Sequence, residues 1–322
     1  MIPVCPALSV VVPLYNSAET LPRLLDELSA LPIAAALEIV LVNDGSHDAT
    51  EAIALQLIEN CSVPVTFISL SRNFGEHNAV LEGLRASTGE YVVTMDDDLQ
   101  NPPAEVAKLV EIARVEQRDV VYSSYEEKKH SWWRNLGSWL TNVFADWSVD
   151  KPKGLYLSSF RCLSRFVVEE IAKSSNPTPY IDALIFQVTQ NVGVVKVRHD
   201  SRRSGKSGYT PRKLLRLWIS MLTNASVMPL RVATLLGVAM SFVGFVAFVG
   251  VLITHFVEQQ PLGWGSLMAA ELLFSGTQLL LLGVVGEYIG RNYLYVSEKP
   301  QSVVRLRRQH APANLDLTKR GF

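Results

Sequence analysis

Apolar runs alternate with helical patterns along the N-terminal part of the chain. The runs "LSVVVPLY" (8–15), "LEIVLVND" (37–44), "VTFISL" (65–70) and "YVVTMD" (91–96) have the nearly continuous apolar character of strands covered on both faces. Segments with helical patterns, at about 17–30, 50–59 and 71–87, separate them. Four strands alternating with helices predict an α/β fold with an open, doubly wound, Rossmann-like sheet.

Two long apolar runs occupy the C-terminal part. No Asp, Glu, Lys or Arg occurs from Val232 to Val257, a stretch longer than the ~20 residues that a membrane-spanning helix needs. A second run, from about 266 to 290, is interrupted by Glu271 and Glu287. We predict a transmembrane hairpin of helices 232–257 and 266–290; buried core helices are the alternative.

Basic residues predict the orientation of this hairpin and a division into domains. Lys and Arg are absent between Val232 and Gly290 but frequent on both sides, which predicts a multi-pass plasma-membrane protein with both termini cytoplasmic. The predicted parts are a cytoplasmic domain (1–210), a juxtamembrane helix (211–230), the hairpin (231–291) and a cytoplasmic tail (292–322).

A tryptophan-rich segment precedes the hairpin. "KKHSWWRNLGSWLTNVFADW" (128–147) contains four of the six tryptophans and places apolar residues at helical spacing. Because tryptophan is frequent at bilayer interfaces, we predict an interfacial amphipathic helix with Arg134 facing the functional site. An ordinary amphipathic core helix is the alternative.

Composition narrows the classes of partner. The 322 residues are 48% hydrophobic and carry a net charge of −1, so no general attraction to nucleic acid is expected and anionic partners must meet local basic clusters. Cys5, Cys61 and Cys162 form no CxxC pair, which favours reduced thiols over zinc or a redox couple. The N-terminus lacks the basic region of a signal peptide.

Polar residues follow each of the four predicted strands. They are Tyr15-Asn16, Asn43 to Ser46, Ser71 to Asn73, and Asp96 to Asp98. Each cluster alone also fits a helix cap or turn. Because ligands of such sheets bind beyond the carboxyl ends of the strands, four clusters at one edge favour a binding site.

The triple aspartate predicts a metal site. Residues spaced i, i+2 on a strand point the same way, so Asp96 and Asp98 face one ion while Asp97 points elsewhere. Mg²⁺ prefers one or two carboxylates together with substrate phosphates and water. A metal-bridged diphosphate is therefore the predicted ligand, with Asp44 placed to bind the base or ribose of the same nucleotide. A solvated acidic turn is the alternative.

The ordered motifs resemble those of a known enzyme family. "VVPLYN", "VNDGS", "SRNFG" and "MDDDLQNPP" are similar to the motifs of inverting family-2 glycosyltransferases with the GT-A fold. With its C-terminal hairpin, the chain resembles the polyprenyl-phosphate glycosyltransferases, to which dolichol-phosphate mannose synthase is related. "RNFGEHNAV" and "QNPP" look closest to the undecaprenyl-phosphate transferases of 4-deoxy-4-formamido-L-arabinose, with the bactoprenol glucosyltransferases next.

The resemblance implies roles for individual residues. A nucleotide sugar, expected to be UDP-linked, would occupy a pocket formed by Pro13, Tyr15, Asn16, Asp44, Arg72 and Asn73. Asp96, Asp98 and Gln100 would surround Mg²⁺ or Mn²⁺ and the diphosphate. The product would be a lipid-linked monosaccharide for the cell envelope or lipopolysaccharide, carrying 4-deoxy-4-formamido-L-arabinose or glucose. Related hairpins pack with one another, so a homo-oligomer is a further expectation.

The chain departs from the family pattern at three places. Ser17 stands where relatives commonly have Glu in "YNE". The middle residue of the D-x-D motif is usually small in relatives, but here it is Asp97. "GLYLSSFR" (154–161) replaces the "GD" that relatives often have before "FR". These changes bear on the nucleotide contact and on the sugar or acceptor pocket.

The predicted acceptor, a polyprenyl phosphate, needs cations in the protein. The basic, Gly/Ser-rich stretch "RHDSRRSGKSGYTPRKLLRLW" (198–218) contains the frame of Arg202, Gly205 and Ser207 that matches the family's loop near the acceptor. We predict that Arg134, Arg161, Arg202 and Ser207 contact the acceptor phosphate. Anionic lipid headgroups are an alternative ligand for the loop.

Two other functions fit the same fold class. A processive polysaccharide synthase resembles longer chains with a Q-x-x-R-W element, which this sequence lacks. A non-catalytic membrane subunit that has kept the fold is the other alternative, and Asp96 and Asp98 argue against it because the fold itself does not need them.

His77 has the ordinary interpretation of a hydrogen-bonded structural residue, and Glu287 that of an ion-pair partner of Arg291.

Overall fold

The structure is a computed structural model in which the described residues form two compact units. They are residues 8–32, 36–125, 155–198, 200, 233–235, 237–240, 242–246, 249–250, 253, 263–297 and 299–312. The first unit comprises Met1–Pro211 together with Pro300–Phe322, and the second comprises Arg212–Lys299. The predicted interfacial helix 128–147 and the predicted juxtamembrane helix 211–230 lie outside the described residues.

Among the described residues, eight strands form one sheet in the first unit. They are β1 (Leu8–Leu14), β2 (Leu37–Asn43), β3 (Val65–Leu70), β4 (Tyr91–Thr94), β5 (Val120–Ser124), β6 (Arg161–Ser164), β7 (Val192–Lys196) and β8 (Val304–His310). Their spatial order is β7-β5-β6-β4-β1-β2-β3-β8. The four predicted strands are therefore confirmed, and they are adjacent at the centre of the sheet.

The sheet is mixed in its strand directions. The pairs β1–β2, β1–β4, β2–β3 and β5–β7 are parallel. Strand β6 runs antiparallel to both β4 and β5, and β8 runs antiparallel to β3 at one edge. The predicted parallel arrangement holds for the centre of the sheet, while β6 and β8 are additions that the local patterns did not indicate.

Helices cover the sheet. They are α1 (Leu21–Ser29), α2 (Thr50–Ile58), α3 (Glu76–Ala86), α4 (Val106–Val115), α5 (Arg165–Ala172) and α6 (Ile181–Val188), and a 3₁₀ turn at Pro103–Glu105 precedes α4. Helix α1 illustrates why they form: its leucines at 21, 24, 25 and 28 recur at helical spacing and are buried. Its proline in the first turn costs no hydrogen bond there.

The core explains why the central strands read as continuous apolar runs. Val10, Val11 and Val12 are fully buried on β1, as are Ile39, Val40 and Leu41 on β2. Side chains on both faces of these strands are removed from water, which is the arrangement expected of a parallel sheet covered by helices. This packing fixes the positions at which the strands end.

The second unit contains the helix α7 (Trp264–Val296), which includes the predicted second span. The predicted first span, 232–257, is described only in part. Within the unit, a Cβ added to Gly244 would lie 2.9 Å from the ring of Phe274, so the first segment approaches α7 closely there. By length and hydropathy, no helix in the described part of the chain qualifies to cross a membrane.

Candidate functional site

The loops after β1 and β2 are joined by hydrogen bonds. Asn16 has a φ of +56°, a left-handed conformation that asparagine adopts more readily than most residues. Its Oδ1 accepts a hydrogen bond from the His47 N–H at 2.9 Å, and its own N–H donates to Ser46 Oγ at 3.0 Å. Tyr15 is half exposed and packs edge-on against His47. The predicted nucleotide residues Tyr15 and Asn16 therefore lie beside the loop after β2.

Asp44 joins the loops after β2 and β3. Its buried carboxylate accepts hydrogen bonds from the N–H groups of Phe74, at 2.7 Å, and Gly75, at 2.9 Å. Burial raises the pKa of Asp44, and the two N–H donors and the charge of Arg72 oppose that rise. Arg72 is exposed and lies over the Phe74 ring at 4.3 Å. The loop that carries Arg72 and Asn73 is thus held by Asp44.

Gly45 allows the same two loops to touch through their backbones. It has a φ of +63°, and a Cβ added there would lie 2.3 Å from the carbonyl carbon of Arg72 and 2.5 Å from the nitrogen of Asn73. Only glycine fits this combination of left-handed backbone and close approach. The three loops after β1, β2 and β3 therefore form one polar edge.

The three aspartates after β4 have different hydrogen-bond partners. Asp96 Oδ2 accepts from Ser159 Oγ at 2.6 Å, and Asp98 Oδ1 accepts from the Gln100 N–H at 3.1 Å. Asp97 Oδ2 accepts from Ser17 Oγ and from the Tyr15 N–H. Asp97 consequently joins the end of β4 to the loop after β1, while Asp96 and Asp98 are held by other partners.

Negative charge is concentrated around these aspartates. Desolvation raises the pKa of Asp97 to about 6 against the hydrogen bonds from Ser17 and Tyr15, and the charges of Asp96 and Asp98 add to the rise. Desolvation, followed by the charge of Asp96, raises the pKa of Glu76 to about 7. In both groups desolvation is the largest cause of the rise, and the neighbouring carboxylates add a part that a cation would relieve.

A buried polar cluster lies next to this acidic group. The Arg161 guanidinium pairs with Asp182, and the Tyr122 hydroxyl donates to the same Asp182 Oδ1 at 2.8 Å. Burial alone would lower the pKa of Arg161, but the charge of Asp182 raises it overall. Tyr180 also hydrogen-bonds Asp182 and packs edge-on against His77 with ring centroids 5.0 Å apart. Arg161, predicted to contact the acceptor phosphate, is thus 3% exposed and paired with a carboxylate.

The basic loop begins beside the aspartates. The Asp200 N–H donates to the Gln100 carbonyl at 2.8 Å. Asp200, two residues before Arg202 in sequence, therefore contacts the segment that follows the three aspartates. Arg202, Ser207 and Arg134 lie outside the described residues. Pro13 is part of β1, paired with Val42 of β2.

Sequence reasoning did not identify several residues of this region. Ser159, Tyr180 and Asp182 contact the predicted site or its neighbours, but each belongs to a segment that is distant in sequence. The only signal was that 154–161 departs from the family pattern. In the described ranges, no group of three or more His, Cys, Asp and Glu side chains is arranged to hold a metal ion by itself.

Two family profiles match the chain. The family described as glycosyl transferase family 2 matches residues 9–172, and the GtrB C-terminal hairpin matches residues 228–291. The chain is 33% identical to the undecaprenyl-phosphate 4-deoxy-4-formamido-L-arabinose transferase of Pseudomonas aeruginosa, over 98% of this chain and 94% of that protein.

Solved structures share the fold. Glucosyl-3-phosphoglycerate synthase from Mycobacterium tuberculosis, in complex with Mn²⁺, uridine diphosphate and phosphoglyceric acid, has a TM-score of 0.51 and 20% identity. The similarity covers 68% of this chain and 77% of that chain. The same synthase with Mg²⁺ and uridine diphosphate has a TM-score of 0.50 and 18% identity, covering 68% and 78% of the two chains. At this identity the likeness concerns the GT-A-like fold.

We predict that Gly45→Ala weakens the protein and its polar edge. The new methyl group would overlap the backbone of the loop after β3, which should cost at least about 2 kcal/mol because backbone cannot move aside cheaply. Gly75→Ala is the control for backbone strain alone: Gly75 has a positive φ with an extended ψ, which costs energy for alanine by itself, but a Cβ there would meet nothing within 4 Å. Thermal unfolding should show a larger loss for Gly45→Ala than for Gly75→Ala, and equal losses would contradict the close approach.

We predict that His77 makes stability fall in mild acid. Burial lowers the pKa of His77 from 6.5 to about 4, so between these values the unfolded chain binds a proton that the folded chain does not. This difference disfavours folding as the pH falls, with a slope of up to about 1.4 kcal/mol per pH unit. His77→Gln should therefore lose less stability than the unaltered protein between pH 7 and pH 5 in thermal unfolding. An unchanged pH dependence in the variant would refute this role.

Proposed function

Because the chain belongs to glycosyl transferase family 2, we propose that it transfers one sugar from a UDP-linked donor to undecaprenyl phosphate. The observation that carries the proposal is the 33% identity, over 98% of the chain, to a transferase named for that lipid acceptor. The carboxylates at the end of β4 and the GtrB-type hairpin support it. The product is a lipid-linked monosaccharide for the cell envelope or lipopolysaccharide.

The residues after β4 fit a divalent cation. Asp96 and Asp98 supply hard oxygen ligands, and the charge of Asp96 adds to the rise that desolvation causes in the pKa values of Asp97 and Glu76. Two protein carboxylates completed by diphosphate oxygens suit Mg²⁺ or Mn²⁺ without a cage made only of protein. When bound, the ion neutralises the diphosphate of the donor, which eases its departure.

The acceptor removes the need for a general base. A phosphomonoester has a second pKa of about 6 and is largely a dianion at neutral pH. Its oxygen forms a bond to the anomeric carbon while the bond from that carbon to the diphosphate oxygen breaks, and the nucleoside diphosphate leaves with inversion. The protein then has to bring two anions together, which requires cations and alignment more than proton transfer.

Basic residues on the acceptor side supply those cations. The hydrogen bond between Asp200 and Gln100 supports a position of the following loop near the donor, with Arg202 and Ser207 contacting the lipid phosphate. Arg134 is a further contact. Arg161, which is buried against Asp182, contributes positive charge from beneath the site.

The hairpin is proposed to attach the protein to the inner membrane. Large apolar side chains are exposed in the second unit, among them Leu235, Phe242, Leu279 and Ile289. Exposed apolar surface of this extent is typical of a membrane or subunit contact. We assign residues 231–291 to a multi-pass anchor with the catalytic domain and both termini cytoplasmic, and to the contact of a homo-oligomer.

Product analysis tests this function. Purified protein, Mg²⁺ and undecaprenyl phosphate would be incubated with a panel of UDP-sugars that includes 4-deoxy-4-formamido-L-arabinose and glucose. Release of UDP only in the presence of the lipid, with one sugar per lipid, supports the proposal. Polymer formation would indicate a processive synthase, and no turnover with any donor would count against a catalytic role.

We predict that Asp98→Ala abolishes turnover in a folded protein. Loss of a metal-binding carboxylate should lower kcat at least about a hundredfold. Asp97→Asn is the matched control, because it removes one charge from the same turn but can still accept the hydrogen bond from Ser17. Its kcat should fall less than about tenfold. Normal turnover by Asp98→Ala, or equal losses in both variants, would remove Asp98 from the metal site.

We predict that Arg202→Ala mainly impairs the lipid acceptor. Loss of a charge-assisted hydrogen bond to phosphate should lower kcat/KM for undecaprenyl phosphate about tenfold or more. The KM for the donor should stay nearly constant. Arg203→Ala, which removes the same charge one residue away, is the control. Equal effects of both variants would indicate general attraction to anionic lipid instead of a specific contact.

A further inference from the structure

Strand β8 follows the hairpin in sequence but belongs to the sheet of the first unit. It lies outside the ranges 9–172 and 228–291 that the two families match. It pairs antiparallel with β3, the strand that Ser71, Arg72 and Asn73 follow. The sheet edge that carries the proposed nucleotide residues of β3 is therefore completed by chain from beyond the hairpin.

A bulge in β8 lies opposite the C-terminal end of β3. Ser69 is paired with Leu306 and Leu70 with Val304, which leaves Arg305 without a partner residue on β3. Bulges turn a side chain away from the regular alternation of a strand. The Arg305 guanidinium here forms an ion pair with Glu51 of α2.

Glu51 connects Arg305 to the loop after β2. Its Oε2 also accepts hydrogen bonds from Ser69 Oγ, at 2.5 Å, and from Asn43 Nδ2, at 3.3 Å. Asn43 and Ser69 are buried, and the Asn43 Oδ1 accepts from the Ser46 N–H at 3.1 Å. A continuous set of polar contacts thus leads from Arg305 to Ser46, whose hydroxyl accepts the Asn16 N–H.

The residues before β8 make a second connection. The Ser71 N–H donates to the Val303 carbonyl at 2.8 Å, directly before Arg72. Ser302 Oγ donates to Glu82 at 2.9 Å, and Gln301 accepts from Arg85 at 2.6 Å. The segment from Gln301 to Val303 is therefore attached to α3 and to the end of β3.

We infer that Arg305 is a positioning residue for nucleotide binding. It orients Glu51, and through Glu51 it holds Asn43 and Ser69 where the loops after β2 and β3 begin. An exposed ion pair by itself contributes little to stability. The effect here is positional, because the carboxylate that Arg305 holds is shared with two buried side chains. The inference rests on the proposed function, since it concerns the same nucleotide pocket.

The test compares Arg305→Ala with Arg308→Ala in the full-length protein. Both replacements remove one exposed arginine from β8, but only the first removes the ion pair with Glu51. Arg305→Ala should weaken UDP binding in Mg²⁺ about two- to fivefold by calorimetry and raise the donor KM similarly. It should leave kcat and the KM for undecaprenyl phosphate nearly unchanged. Arg308→Ala should retain the UDP affinity of the unaltered protein.

Two further variants separate positioning from simple stabilisation. Arg305→Lys keeps the charge and should recover most of the UDP affinity. Glu51→Gln should weaken UDP binding by itself, and adding Arg305→Ala to it should cause little further loss, because both changes break one connection. A lower unfolding temperature for Arg305→Ala with unchanged UDP affinity would overturn the inference, as would equal affinities of Arg305→Ala and Arg308→Ala. Absence of UDP binding by the unaltered protein would overturn the proposed function and this inference with it.

Discussion

Repulsion among the carboxylates at the end of β4 is the constraint around which the rest of the site is arranged. Asp96, Asp97 and Asp98 are consecutive, and desolvation together with the charges of Asp96 and Asp98 raises the pKa of Asp97. The fold relieves part of that repulsion with hydroxyl donors, Ser17 for Asp97 and Ser159 for Asp96. Hydroxyls supply dipoles but no charge, so a net negative potential remains. The ligand that we propose for this remaining potential is a divalent cation that carries a diphosphate.

The departures from the family pattern meet at this same point. Ser17 occupies the position where relatives commonly carry a glutamate, and the carboxylate that faces it belongs to Asp97, a position where relatives commonly carry a small residue. The hydrogen bond between Ser17 and Asp97 means that a carboxylate is still present beside the loop after β1, supplied from a different strand. Ser159 lies in the third departing segment and contacts Asp96. The three departures from the family pattern therefore lie close together in the structure, around Asp96 and Asp97.

The central strands were predictable from sequence because each is a short, continuous run of apolar residues. Continuous apolar runs gave β1 to β4, and the polar residues after each strand gave the loops that meet at one edge. Strand β6 lies between β4 and β5 and pairs with both of them. These partners are distant in sequence, so the local pattern of residues does not indicate the pairing. Strand β8 reads "VRLRRQH", an exposed basic stretch that resembles a solvated tail. The pairing of Arg161 with Asp182 was missed for the same reason, since the two residues belong to different elements.

The chain path constrains the hairpin independently of its charge pattern. The first unit contains chain before residue 212 and chain after residue 299, and β8 is hydrogen-bonded within its sheet. A segment that leaves a folded domain and returns to it can cross a bilayer only an even number of times. This argument supports the two-helix arrangement inferred from the lysines and arginines. It also makes the hairpin an insertion, in sequence, between β7 and β8 of one sheet.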